Sequence, residues 1–371
     1  MTRRFEQILE AGDRQFDGFF EWLDGQYDEA SGGFYYARSS KRSGKFTPDI
    51  ESTAQALNIL ERSNLLDRWS GRLKEKAVRF FQSKQDPATG FFYDDDPNMR
   101  LDDVMVGRAI GYSLGALHKF TAKPLYPLPE QSEATPEYMA SSEAYGQWLR
   151  SVSLANSWRG CDRLSNSAPH LLALGPNERE SYVMEAFAYL NGIQHPESGL
   201  WGEGSRYVQI SGTFKLHQFY NRFQVPIPRK EAIYRSLLNA LRNDDATDMC
   251  YIRNPISLLS SMKPEISGAE MEEIADITLS NMAKLKREDG GFSREIDRSP
   301  PAPNVAQVKE GETYPDMPAA VPIGLGEKEG DMNAGTQAVL IRYTLRELAG
   351  LPPTHLQAAG HLFIERAGVG E

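Results

Sequence analysis

The sequence predicts an all-α protein, an (α/α)6 toroid in which six helical hairpins set an inner ring of helices inside an outer one. Three observations predict it. A polar turn ending in glycine and an aromatic residue recurs along the chain, each copy lies between two stretches of helical hydrophobic period, and no segment reads as a long strand ladder.

The recurring turns are QYDEASGGF at Gln26, QDPATGFF at Gln85, QHPESGLW at Gln194 and KREDGGF at Lys286. Glycine there suits the left-handed conformation that ends a helix, and the aromatic after it can pack back over the helix ends as a staple between neighbouring hairpins. The first unit has a helix near Phe16 to Leu23, the turn, and a second helix from about Asp49. The second pairs LKEKAVRFFQSK with LDDVMVGRAIGYSLGAL, the fourth YVMEAFAYLNGI with ISGTFKLHQFYNRF, and the sixth ITLSNMAKLK with GDMNAGTQAVLIRYTLREL. Two abbreviated units without the aromatic turn lie between them, EAYGQWLRSVSL with CDRLSNSAPHLLAL and EAIYRSLLNAL with DMCYIRNPISLLSSM. Small residues such as Ser52, Thr53, Gly111, Gly115, Gly212 and Gly335 suit second helices crowded at a centre, with the first helices outside.

Two stretches interrupt this order. Residues 121–140 hold four prolines and read as a linker over the surface, and residues 296–330 read as an insertion in the sixth hairpin. The insertion enters a second helix at Gly330 and Asp331, which predicts a lid over one mouth of a single domain spanning residues 1–371.

Composition excludes some classes. A net charge of -10 without a basic tract argues against nucleic acid as a partner. Apolar runs fall short of a membrane span and the N-terminal stretch has no apolar leader, so a soluble, cytoplasmic protein with a small-molecule or oligosaccharide substrate is expected. Cys161 and Cys250 read as free thiols on core helices.

The six hairpins and their Gln/Lys-x-x-x-x-Gly-aromatic turns resemble the α/α toroid superfamily of terpenoid cyclases and protein prenyltransferase β subunits, shared with some polysaccharide lyases. The resemblance implies the fold and leaves several chemistries open. It also raises zinc and magnesium as cofactors. Asp248 and Cys250 in DMC match two of the prenyltransferase zinc ligands, but the later helix begins GDMNAGTQ without the histidine. Asp244, Asp245 and Asp248 in DDATD match the magnesium motif of one cyclase class without its partner motif, and Asp94, Asp95, Asp96 and Pro97 do not fit the acid motif of the other. No metal ligand is assigned.

In such a ring the site is expected where second helices begin, because their free N–H groups converge on one mouth. Asp49, Asp102, Asp103, Asp248 and Asp331 stand there as helix caps or as acids facing across the mouth, with Glu51, Arg159, Tyr207, Arg253 and Asn254 nearby. Lys215 and His217 lie deeper, and His217 shares a face with Asn221. Trp158 and Trp201 are candidates to stack on sugar rings. Paired carboxylates suit glycoside hydrolysis, whereas Tyr207 or His217 as base with Arg253 or Asn254 as neutraliser suits lyase elimination. A carbohydrate-active enzyme is therefore expected, with a terpenoid cyclase or prenyl-diphosphate enzyme and a non-catalytic binding module as alternatives.

Overall fold

In the computed structural model the described residues are 3–129, 136–302 and 319–357, and among them every regular element is a helix. In chain order these are α1 (Arg3–Arg14), α2 (Phe19–Gly25), α3 (Arg38–Ser43), α4 (Ile50–Arg62), α5 (Gly71–Ser83), α6 (Asp103–Lys119), α7 (Ser142–Ser151) and α8 (Ser157–Ser165). They continue with α9 (Ala168–Ala173), α10 (Pro176–Ile193), α11 (Arg206–Arg222), α12 (Lys230–Asn243), α13 (Met249–Met262), α14 (Gly268–Ala283) and α15 (Met332–Leu348). No helix among the described residues is long and apolar enough to cross a membrane.

The second helices pack in succession: α6 on α4, α4 on α15, α15 on α13, α13 on α11 and α11 on α8. First helices flank them, with α7 against α10, α12 against α14 and α14 against α1. Helix α1 lies outside the predicted hairpins. Its Gly12 sits against Leu279 of α14, and Asp13 pairs with Arg342 of α15 at 2.7 Å. The third second helix starts earlier than expected, at Ser157 behind the Asn156 cap, and is split into α8 and α9.

The repeated turns organise this packing through two contacts. The turn glycines Gly32, Gly90, Gly199 and Gly290 all have positive φ, between 71° and 95°. They lie several residues past the helix ends rather than capping them, and each presses on the backbone of the following hairpin. A Cβ would meet Lys76 at Gly32, Pro127 at Gly90, Ile233 at Gly199, and Gly18, at the chain's beginning, at Gly290. The Gln or Lys that opens the turn ties the same junction. Gln85 Nε2 donates to Gly90 O (3.1 Å) and Tyr126 O (3.0 Å), Gln194 Nε2 to Gly199 O (2.8 Å) and Pro228 O (2.9 Å), and Lys286 Nζ to Gly290 O (2.7 Å) and Asp17 O (2.8 Å). Gln26 differs, its amide turning back to Trp22 O (2.8 Å).

The aromatic residues Phe34, Phe92, Trp201 and Phe292 are fully buried, each a gain of about 2–3 kcal/mol. Two residues further on, the chain holds the first N–H of the preceding second helix. Ser157 N donates to Glu203 O (3.0 Å), Met249 N to Arg294 O (2.8 Å) and Met332 N to Tyr36 O (2.8 Å), the last again joining the end of the chain to its start. In the second unit the acceptor is a side chain: Ile50 N donates to the Asp94 carboxylate at 3.1 Å.

Small residues do tighten some second helices, since a Cβ on Gly212 would press into Ser157 of α8 and one on Gly335 would meet Phe19 at 3.2 Å. Gly107, Gly111 and Gly115 of α6 meet nothing within 4 Å, so space beside that helix stays unfilled.

Gly90→Ala combines a left-handed backbone with a collision on Pro127 O and should cost about 2–4 kcal/mol in urea unfolding. Gly44, also left-handed but with nothing within 4 Å, should lose only about 1–2 kcal/mol as alanine. Equal losses at the two positions would remove the packing role of the turn glycine.

Candidate functional site

Asp49 ends the extended segment before α4 and caps the helix, its Oδ1 accepting from Ser52 N at 2.8 Å. The other oxygen, Oδ2, is buried without a hydrogen-bond partner. Such a group is costly to ionise, and burial first, then the nearby Asp94 charge, pushes the Asp49 carboxyl up to about 8. Asp94 accepts from Ile50 N and lies 3.3 Å from Lys84 Nζ; burial also raises it, to about 6, against the pull of Lys84.

Glu51, in the first turn of the same helix, has different surroundings. Its Oε1 accepts from Arg108 Nη2 (2.7 Å), Gln55 Nε2 (2.9 Å) and Tyr112 OH (3.3 Å), which leaves Oε2 without a protein donor among the described residues. Asp49, Glu51, Asp94, Arg108 and Tyr112 all line one cavity of about 510 Å³ where α4 and α6 begin. Lys45, Asp95 and Asp96 stand at its side, and Val321, Pro322 and Ile323 of the insertion close part of its wall. That wall is tied down, since Ser40 Oγ donates to Ile323 O (2.7 Å) and Ile323 N to Pro301 O (2.8 Å). Residues 303–318 of the insertion lie outside the described residues, as does the side chain of Asp103.

Of the other sequence-predicted residues whose side chains are described, none lines this cavity. Asp248 and Asp331 cap α13 and α15 through Cys250 N (2.6 Å) and Ala334 N (2.8 Å), and Arg294 links them, its Nε to Asp248 (3.3 Å) and its backbone N to Asp331 (2.7 Å). Burial raises Asp331 to about 6, and Ser299 Oγ also donates to it at 2.7 Å. Asp102 is buried at the start of α6 and accepts from Met105 N at 3.3 Å.

Tyr207 is a core residue, stacked on Tyr251 and donating to Ala240 O at 3.2 Å, with its hydroxyl pKa raised by burial. His217 pairs with Asn221 at 3.1 Å as its spacing predicts, and burial lowers it to about 4. Trp201 is fully buried, its indole N–H donating to Leu190 O at 2.8 Å. Trp158 is half-buried beside Arg159, which lies over its ring at 5.5 Å. Lys215 pairs with Asp162 at 2.8 Å, and Asn254 donates to Ser211 at 2.9 Å.

Sequence reasoning missed Asp94, although the signal was present. Aligning the four turns on their aromatic residue puts Tyr36, Asp94, Glu203 and Arg294 at one position, and Asp94 is where a side chain replaces the usual backbone acceptor. Among the described residues no three of His, Cys, Asp and Glu are grouped to hold a metal ion. Asp244 pairs with Arg206 at 3.1 Å. No family model matches the chain, and no curated protein matches it.

The Asp49 carboxyl binds a proton in the folded protein that the unfolded chain has released above its ordinary value of 3.8. Stability should therefore fall as pH rises from about 4 to about 8, with Asp94 and Asp331 contributing up to about 6. Asp49→Asn keeps the cap and removes the titration. Chemical unfolding between about pH 6 and 8 should show a slope smaller by about one proton, about 1.4 kcal/mol per pH unit. An unchanged slope would mean that Asp49 is ionised in the folded state.

Proposed function

We propose that the second helices close into an (α/α)6 toroid and that the cavity at α4 and α6 is the active site of an enzyme hydrolysing glycosidic bonds. The carrying observation is Asp49, a carboxyl with one buried oxygen free of any partner in a cavity it shares with Glu51. Glycoside hydrolysis needs one acid that still holds its proton at neutral pH and one carboxylate that does not. Asp49 suits the first role. Its environment stabilises the neutral form, and Oδ2 makes no hydrogen bond within the protein that would hold the proton back.

Glu51 suits the second, as nucleophile or as base for water. Arg108, Gln55 and Tyr112 hold one oxygen and leave the other to act. The insertion residues at the cavity wall, Val321 to Ile323, suit a lid that holds a sugar against the acids while leaving a path for the water that hydrolysis consumes. The run of contacts that joins Lys286 to Asp17 and Met332 to Tyr36 supports the closed ring.

Hydrolysis has better support than elimination. The bases suited to elimination, Tyr207 and His217, are buried in the core and do not line the cavity. A prenyl-diphosphate site has less support too, because Asp244 and Asp248 are already engaged by Arg206 and Arg294.

The test is incubation with a broad glycan panel, reading reducing ends and ultraviolet absorbance of unsaturated products. Hydrolysis predicts reducing ends without absorbance, and a 10²–10⁴-fold loss in Asp49→Asn and Glu51→Gln with folding intact. The rate should also fall as pH rises through about 8, where Asp49 loses its proton. A folded protein silent across the panel would leave the cavity as a binding site only, and unsaturated products would transfer the reading to a lyase.

A further inference from the structure

Charged groups on the second helices form pairs across neighbouring helices. Arg108 of α6 is bound to Glu51 of α4, Lys215 of α11 to Asp162 of α8, and Arg342 of α15 to Asp13. Arg253 of α13 breaks the pattern. Its Nη1 donates to the neutral amide oxygen of Asn254 (3.1 Å), its guanidinium lies over the Phe214 ring at 4.8 Å, and its Nε is buried without a hydrogen-bond partner. No carboxylate pairs with it among the described residues; Cys250 and then Tyr112 act to hold its proton, and Arg62 repels it. Burial lowers its pKa, whereas Glu51 raises that of the equally buried Arg108.

A guanidinium in this position is costly unless an anion joins it. Its Nη2 makes no hydrogen bond among the described residues, and a guanidinium uses such N–H groups to hold a carboxylate or phosphate. Tyr112 of α6 lies close enough to Arg253 of α13 for its charge to act on it, although the two helices are not neighbours in the packing succession. Tyr112 also lines the cavity that holds Asp49 and Glu51. Arg253 stands about 7 Å along α13 from its cap at Asp248, inward of the helix starts.

We infer that Arg253 is the seat of an anionic group on the ligand, a carboxylate or a phosphate or sulfate ester, bound inward of the cavity where α4 and α6 begin. This rests on the glycosidase reading only for the sugar scaffold, since an anion seat at Arg253 needs no chemistry at Asp49. The charge order would orient a ligand: the acids Asp94, Asp95 and Asp96 at the cavity side repel its anionic end, and Arg253 draws that end inward.

The experiment compares glucose, glucuronate, glucose 6-phosphate and glucose 6-sulfate as ligands of the full chain, by calorimetry and by melting temperature, at two salt concentrations. The anionic sugars should bind at least 10-fold more tightly than glucose, and the preferred one identifies the group. Arg253→Gln should remove that preference and Arg253→Lys should keep part of it. Should Arg253→Gln fail to fold, the wild-type comparison of charged with neutral sugars still decides. Equal binding of glucose and the anionic sugars, or a preference that survives in Arg253→Gln, would overturn the inference. Cleavage of neutral glycans without anion preference would overturn it while leaving the hydrolase standing, and anion preference without cleavage would do the reverse.

Discussion

The close approach of a left-handed glycine to the backbone of the next hairpin is the constraint from which the rest of the architecture follows. Without a side chain at Gly32, Gly90, Gly199 and Gly290, one turn can rest directly on its neighbour's chain. At three of these turns Gln85, Gln194 and Lys286 then satisfy carbonyls of both hairpins at once. Leaving such carbonyls unpaired would cost about 1–3 kcal/mol each. The contact is directional, since each of these four turns leans on the chain of the hairpin that follows it. The last unit leans on the first through Gly290, Lys286 and Asp17.

The same turns deliver the starts of the second helices. Backbone carbonyls at Tyr36, Glu203 and Arg294 each receive the first N–H of a neighbouring helix. At Asp94 a carboxylate takes that place, which puts a second acid beside the Asp49 cap in a buried setting. Burial first, and then the charge of Asp94, make an ionised Asp49 costly and push its carboxyl up to about 8. Glu51 has different surroundings, with three donors on one oxygen and Arg108 paired to it. A change of acceptor at one position of the repeat thus separates the chemistry of two acids on one helix.

The repeat was legible because its period is written in residue types: glycine at the tight approach, an aromatic at the fully buried position, Gln or Lys at the tie. Caps were legible for the same reason, and Asp49, Asp248 and Asp331 all accept from helix N–H groups as their positions predict. What distinguishes these three aspartates lies across space rather than along the chain. Arg294 neutralises Asp248 and donates its backbone N–H to Asp331, whereas Asp49 faces Asp94 and a cavity. Helix α1 escaped notice because the first turn-bearing hairpin begins after it, and Trp201 read as a sugar platform although it occupies the buried aromatic position of its turn.

Whether one buried carboxyl is neutral at physiological pH is the point on which this account stands or falls. Infrared difference spectroscopy of the wild-type protein against Asp49→Asn, titrated from mildly acidic to alkaline pH, reads it without any substrate. A protonated-carboxyl C=O band is expected at neutral pH, disappearing as pH rises through about 8 and missing from the variant. A wild-type protein without that band at neutral pH, or a variant that retains it unchanged, would contradict the account.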